Sequence, residues 1–204
     1  VLEKYSHCYC FRYMRFYISF LIDQIILVLT LKSPNINYNL VDKYLVMLEH
    51  YGLPVVIVVN KIDLISKEDI NEFTQIYEQS GYSVIFTSAK DELGIEELKN
   101  TLKNKITSLA GPSGVGKSTL LNLLHEDIEV ETGSISYKTK RGKHTTRHTE
   151  LFELMPNSYL LDTPGFSSLD LSFIEDETNV RLFYPEFRKI QNQCKFQNCQ
   201  HLKV

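Results

Sequence analysis

Gly111-Pro-Ser-Gly-Val-Gly-Lys-Ser-Thr119 matches the phosphate-loop pattern G-x-x-x-x-G-K-[ST] at Gly111, Gly116, Lys117 and Ser118. Glycine lets the backbone come close to an anion, and Leu120, Leu121, Leu123 and Leu124 supply the apolar face of a helix whose positive end points at the phosphates. Gly111, Pro112, Ser113, Gly114, Val115, Gly116, Lys117, Ser118 and Thr119 are therefore expected to line a triphosphate cradle. In it Lys117 reaches the β- and γ-phosphates and the Ser118 hydroxyl holds Mg²⁺. A Gly-rich turn before an ordinary helix is the competing reading. The loop alone does not choose between ATP and GTP.

Upstream of the loop, apolar strands alternate with helical periodicity. Ile25 to Leu31 reads as a β-branched strand, Leu40 to His50 as a helix, and Val55 to Val59 as a strand apolar on both faces. A helix over Lys67 to Ser80, a strand over Ser83 to Thr87, a helix over Ile95 to Lys105 and a strand into Ala110 follow. This alternation predicts an α/β fold with right-handed crossovers. Downstream, residues 127–149 are polar and include Lys138, Lys140, Arg141, Lys143 and Arg147, and are expected to form a mobile loop, hence a switch. Leu151 to Leu154 and Ser158 to Leu161 read as two antiparallel strands around a turn at Pro156 and Asn157.

The 204 residues suffice for one main core, and 43% apolar with 23% charged residues is the balance of an ordinary globular protein. A net charge of −3 gives no global attraction to nucleic acid, so any RNA contact must be local. The most apolar stretch, Phe16 to Leu31, is interrupted by Asp23 and Gln24 and is read as a buried strand with its approach. A hydrophobic anchor is the alternative. The chain has no initiator Met and no secretory signal, and is read as beginning inside a longer protein. Residues 1–20 are crowded with aromatics and Arg, and are assigned no function.

Asn60-Lys-Ile-Asp63 follows the strand Val55 to Val59, at the carboxyl end where ligands bind in open α/β sheets. Guanine presents adjacent donors at N1 and N2, and the Asp63 carboxylate can accept both, which adenine does not offer. Asn60 can brace the base and the stem of Lys61 can cover its plane. A helix N-cap at Asp63 is the alternative. Ser88-Ala-Lys90 follows the next strand, with the Ala89 N–H aimed at guanine O6, and Asp162-Thr-Pro-Gly165 follows a later one. There Asp162 would hold Mg²⁺ through water and Gly165 would meet the γ-phosphate.

These motifs together resemble the GTPase family of P-loop proteins, in an order that is circularly permuted: the guanine elements precede the phosphate loop. With Asp162 to Phe166, a Cys/His cluster, Arg141-Gly-Lys-His-Thr-Thr-Arg147 and Phe183-Tyr-Pro-Glu-Phe-Arg188, the chain is similar to the RsgA (YjeQ) family over about residues 23–204. Its members are GTPases of late small-ribosomal-subunit maturation. The resemblance implies a permuted GTPase domain over residues 23–169 and a partial C-terminal zinc module over 170–204. Residues 1–22 would be the remnant of a preceding OB-like domain, or irregular. It further implies GTP and GDP as ligands, hydrolysis dependent on the small subunit and its rRNA, no membrane, a monomer, and a cytoplasmic or organellar location. A GTP-dependent RNA-binding module with negligible hydrolysis and an inert fragment are the alternatives.

Phe166 occupies the place after Asp-x-x-Gly where many GTPases keep a catalytic Gln, so the resemblance implies a slow hydrolase completed by another group or by its partner. His144 is the candidate, with a solvent-exposed loop histidine as the alternative, and Lys117 neutralises charge. Thr145 or Thr146 would complete the Mg²⁺ site. Cys194, Cys199 and His201 match three of the family's four zinc ligands, and the chain ends before the fourth.

Overall fold

In a computed structural model, the protein is described over residues 22–124, 128–130, 137–139, 150–162, 174 and 177–190. Strand β1 (Gln24–Leu29) is followed by α1 (Tyr38–His50), β2 (Val55–Val59), α2 (Lys67–Gln79), β3 (Ser83–Phe86), α3 (Ile95–Leu102), β4 (Ile106–Ala110) and α4 (Lys117–Leu124). Then come β5 (Ile128–Val130), β6 (Tyr137–Thr139), β7 (Glu150–Met155), β8 (Ser158–Asp162), a 3₁₀ segment (Glu177–Phe183) and α5 (Pro185–Ile190).

Six strands form one sheet in the order β3-β2-β1-β4-β8-β7, parallel except for β7 against β8. All residues of β1 are buried, and its alternation decides the layers. Ile25, Leu27 and Leu29 face Tyr44, Met47 and Leu48 of α1 and Phe73 and Tyr77 of α2. Ile26 and Val28 face Leu98 and Leu102 of α3 and Leu120, Leu121 and Leu124 of α4. A strand covered on both sides must be apolar on both faces, which is why β1 and β2 read as continuous runs.

Gln24 looks out of place in such a strand, yet its amide is fully used. Nε2 donates to the Thr101 carbonyl (2.9 Å) and to Thr107 Oγ1 (3.1 Å), and Oε1 accepts from Lys105 Nζ (2.8 Å). Asp23 accepts from the Ile106 N–H (2.7 Å), so both polar residues tie the start of β1 to β4. Among the described residues no helix is long and apolar enough to cross a membrane.

The expected elements are present with ends shifted by a residue or a few. One differs in kind: within residues 127–149, read as loop throughout, β5 and β6 pair antiparallel from Ile128↔Thr139 to Val130↔Tyr137. The alternation Ile128-Glu-Val130 carries a strand signal, but three residues are too few to outweigh the polar composition around them. The Glu177–Phe183 and α5 segment lies against α1. Arg188 meets Glu49 at 2.5 Å, and the Phe183 ring packs edge-on to His50 with centroids 5.5 Å apart.

Candidate nucleotide site

The chain leaves β1 towards β2 on one side and leaves β4 towards β8 on the other, so its winding reverses between β1 and β4. In open α/β sheets the crevice at the carboxyl ends of such neighbouring strands is where ligands bind. The phosphate loop, residues 111–116, leaves the carboxyl end of β4 at this position.

Gly111 has φ +130°, and a Cβ there would strike the Val28 carbonyl of β1. Gly116 has φ +92°, and a Cβ there would strike Asn60 Nδ2. Both glycines are thus favoured by close approach to β1 and to the loop after β2 as well as by backbone conformation. Lys117, at the first position of α4, folds its ammonium back onto the loop, donating to the Gly111 (2.8 Å) and Pro112 (2.6 Å) carbonyls. Burial pushes its pKa below the ordinary lysine value. An anion in the loop would offset that cost. Ser118 is half-buried beside it, while Ser113, Gly114 and Thr119 are exposed.

Asn60 is 1% exposed and joins the loops. Its Nδ2 donates to the Val115 carbonyl of the phosphate loop (2.9 Å), and its Oδ1 accepts from Thr87 Oγ1 (3.2 Å) and from the Ala89 N–H (3.1 Å). The Ala89 N–H expected to meet a guanine oxygen is therefore engaged by Asn60 here. Asp63 lies in a 3₁₀ turn (Ile62–Leu64) and is exposed. Its Oδ1 accepts from Ser88 Oγ (2.9 Å), which also contacts Asp91 Oδ2 (3.2 Å). The Asp63 side chain therefore serves no helix-capping role, which removes that alternative: the next helix is capped by Ser66, whose side chain accepts from the Asp69 N–H. Lys61 sits in the left-handed region (φ +63°), and its Nζ bridges the Ser33 (2.6 Å) and Gly114 (2.8 Å) carbonyls. Lys90 is an exposed residue of the Ser88–Leu93 loop.

The structure thus brings Asn60, Lys61, Asp63, Ser88, Ala89 and the phosphate loop together at one end of the sheet. Asp162 ends β8, which pairs in parallel with β4, so its backbone lies at the same end as the phosphate loop. His144, Thr145, Thr146, Gly165, Cys194, Cys199 and His201 lie outside the described residues. The chain's contribution from residues 30–34 was missed by sequence reasoning: it acts through the Ser33 carbonyl, which no side-chain pattern reports.

Helices on both faces of a central parallel sheet, a phosphate loop after β4, and an Asn-Lys-x-Asp loop from an earlier strand define a circularly permuted P-loop GTPase fold. A sequence profile described as RsgA GTPase matches residues 12–172, and the chain belongs to that family. The small ribosomal subunit biogenesis GTPase RsgA of Agathobacter rectalis is 45% identical over 181 residues, covering 89% of this chain and 60% of that protein. The crystal structure of YjeQ from Thermotoga maritima has a TM-score of 0.71 at 35% identity, covering 90% of this chain and 61% of that one. The structure of YloQ, described as a circularly permuted GTPase, gives 0.70 at 32% identity, covering 90% and 58%. The chain spans about three fifths of the length of the curated relatives it matches.

Proposed function

We propose that the chain carries the nucleotide-binding and hydrolysing part of a GTPase that works on the small ribosomal subunit during its biogenesis, in the cytoplasm and as a monomer. The observation that carries this is the Asn60 junction. A buried amide joining the phosphate loop to two base-side loops holds Asp63 and the cradle in fixed relation, as a ligand with a base at one end and phosphates at the other requires.

In this function Asp63 accepts from guanine N1 and N2 while Ser88 holds it in place, and Lys61 covers the base plane. Ala89 shares its N–H between Asn60 and guanine O6. Lys90 closes the base side. Gly111, Pro112, Ser113, Gly114, Val115, Gly116 and Thr119 surround the phosphates, and Lys117 turns from its two carbonyls to them. Ser118 with Asp162, Thr145 and Thr146 offers oxygen donors that suit Mg²⁺, a reading supported by the parallel pairing of β4 with β8, whose carboxyl ends lead to Ser118 and Asp162. Bound there, Mg²⁺ would neutralise charge developing on the phosphates. Gly165 meets the γ-phosphate and His144 completes the hydrolytic site. Cys194, Cys199 and His201 have the donor chemistry of a zinc site and would hold Zn²⁺ in a C-terminal module over 170–204. Residues 23–169 form the GTPase domain in this division.

Single-turnover cleavage of GTP with and without small ribosomal subunits tests the proposal. Subunits are expected to accelerate cleavage severalfold, with His144→Ala abolishing the acceleration at nearly unchanged GTP affinity. Equal, negligible cleavage in both conditions would leave a GTP-dependent binding module instead.

A further inference from the structure

We infer that Thr30 is a positioning residue for nucleotide binding: through the residues 30–34 loop it fixes Lys61, and through Lys61 the phosphate loop. This inference rests on the guanine-nucleotide function proposed above and assigns a role to a loop that none of the nucleotide motifs includes.

Strand β1 ends at Leu29, and Thr30 is 3% exposed with its hydroxyl donating to the Pro34 carbonyl (2.8 Å). The Ile36 N–H donates to the Leu31 carbonyl (3.2 Å), so the loop is pinned at its base. Between these ties Lys32, Ser33 and Pro34 are exposed and pack on no core. Ser33 has φ +54°, a conformation that L residues avoid, so the loop does not hold this shape by intrinsic preference and needs an anchor.

That shape has a use. The Ser33 carbonyl accepts from Lys61 Nζ at 2.6 Å, and the same ammonium donates to the Gly114 carbonyl at 2.8 Å. A Cβ on Gly114 would lie 3.8 Å from Pro34 Cδ, so the loops after β1 and β4 are in van der Waals reach of each other. These two loops flank the crevice where the winding reverses, and the Lys61 stem crosses between them. An ammonium on a four-carbon stem has many rotamers, and two carbonyls on opposite sides reduce them to one. Only that one lays the stem where it can cover a base while holding Gly114. If Thr30 lost its hydroxyl, the Pro34 carbonyl would lose its partner, the Ser33 carbonyl would drift, and Lys61 would keep only its bond to Gly114.

Dissociation of a fluorescent GDP from the chain and its variants tests this. Thr30→Val, which keeps the side-chain volume, is expected to speed dissociation roughly three- to tenfold, the loss of about one hydrogen bond. The melting temperature of the nucleotide-free protein should fall by no more than about 2–4 °C, and Thr30→Ser should restore the rate. On a Lys61→Met background, Thr30→Val should add nothing. Pro34→Gly loosens the same loop at an exposed position and should speed dissociation even where Thr30→Val melts lower. Wild-type dissociation in both Thr30→Val and Pro34→Gly would overturn the inference and leave the guanine function standing. So would an undiminished effect on the Lys61→Met background, which would mean general loosening. Failure of the unsubstituted chain to bind GDP would overturn both.

Discussion

The side chain of Asn60 uses its carbonyl and its amide at once, and three loops depend on that single buried group. Asp63, three residues further along the chain, has the opposite character. It is exposed, and only the Ser88 hydroxyl orients it among the described contacts. A residue so placed contributes little to folding, which suits the selectivity role proposed for it. Asp63→Asn replaces one acceptor with a donor, so GDP affinity should fall by about 10²-fold or more while xanthosine diphosphate, which carries an oxygen where guanine has its amine, gains affinity. Competition titration with the two nucleotides reads this directly. Unchanged preference would place the base elsewhere. That Asp63 and Lys117 belong to the candidate site could be read from the sequence because their chemistry belongs to the side chain and their spacing to a motif. Ser33 was not, because its contribution is a backbone carbonyl that any residue carries.

Helix α1 links the candidate site to the C-terminal segment. Its N-cap Asn37 accepts from the Leu40 N–H just after the loop that holds Lys61, and its last turn carries Glu49, which takes Arg188. In between sits Asp42, whose pKa is raised chiefly by burial, with the Glu186 carboxylate adding to the rise and a hydrogen bond from Tyr77 opposing it. Tyr77, which gives that bond from α2, and Tyr184, from the C-terminal segment, are themselves pushed up, each chiefly by burial and in part by the Asp42 charge. One Glu186 carboxylate oxygen is buried without a hydrogen-bond partner among the described residues, so like charges meet here with little relief. A carboxyl whose folded pKa is raised takes up protons on folding, so stability falls as pH rises from its unfolded value of 3.8 through its folded one. Asp42→Asn keeps an acceptor for Tyr77 and removes the charge. It should raise the melting temperature at neutral pH by about 2–4 °C. The gain should vanish below pH 3.8; a gain independent of pH would refute the electrostatic cause. At this scale the sequence was informative wherever an element was long or apolar throughout. It located α1, β2 and α2 within a residue or two, whereas the β5 and β6 pair, three residues each, lay below what periodicity can report.

Across the whole molecule, the β1 and β4 pairing divides the sheet into a base side and a phosphate side. Gln24 and Asp23 tie that seam at one end, and the Asn60 and Lys61 bonds to Val115 and Gly114 tie it at the other. A nucleotide would span the same division. GDP, and not ADP, should therefore raise the melting temperature, by an amount set by its concentration over Kd. It should also slow hydrogen exchange of β1 and β4 amides more than those of β3. Equal stabilisation by ADP would contradict the assigned base preference. The permuted order itself was legible, since motifs carry their sequence positions with them. That Gln24 is a buried strand residue and not an interruption was not, because its three partners, at Thr101, Lys105 and Thr107, are far away along the chain.

Strand β1 lies at the middle of the finished sheet, but its partner β4 is made about 80 residues later (Gln24 pairs with Thr107). A growing chain can complete β1, β2 and β3 with their helices while one long edge of β1 still waits. That edge is apolar on both faces and carries no inward charge, bulge or proline to discourage pairing with another chain. Until residues 106–110 emerge, the nascent protein is therefore at its most prone to aggregation, and fragments that stop short of β4 should collect as insoluble material while those extending past it should not.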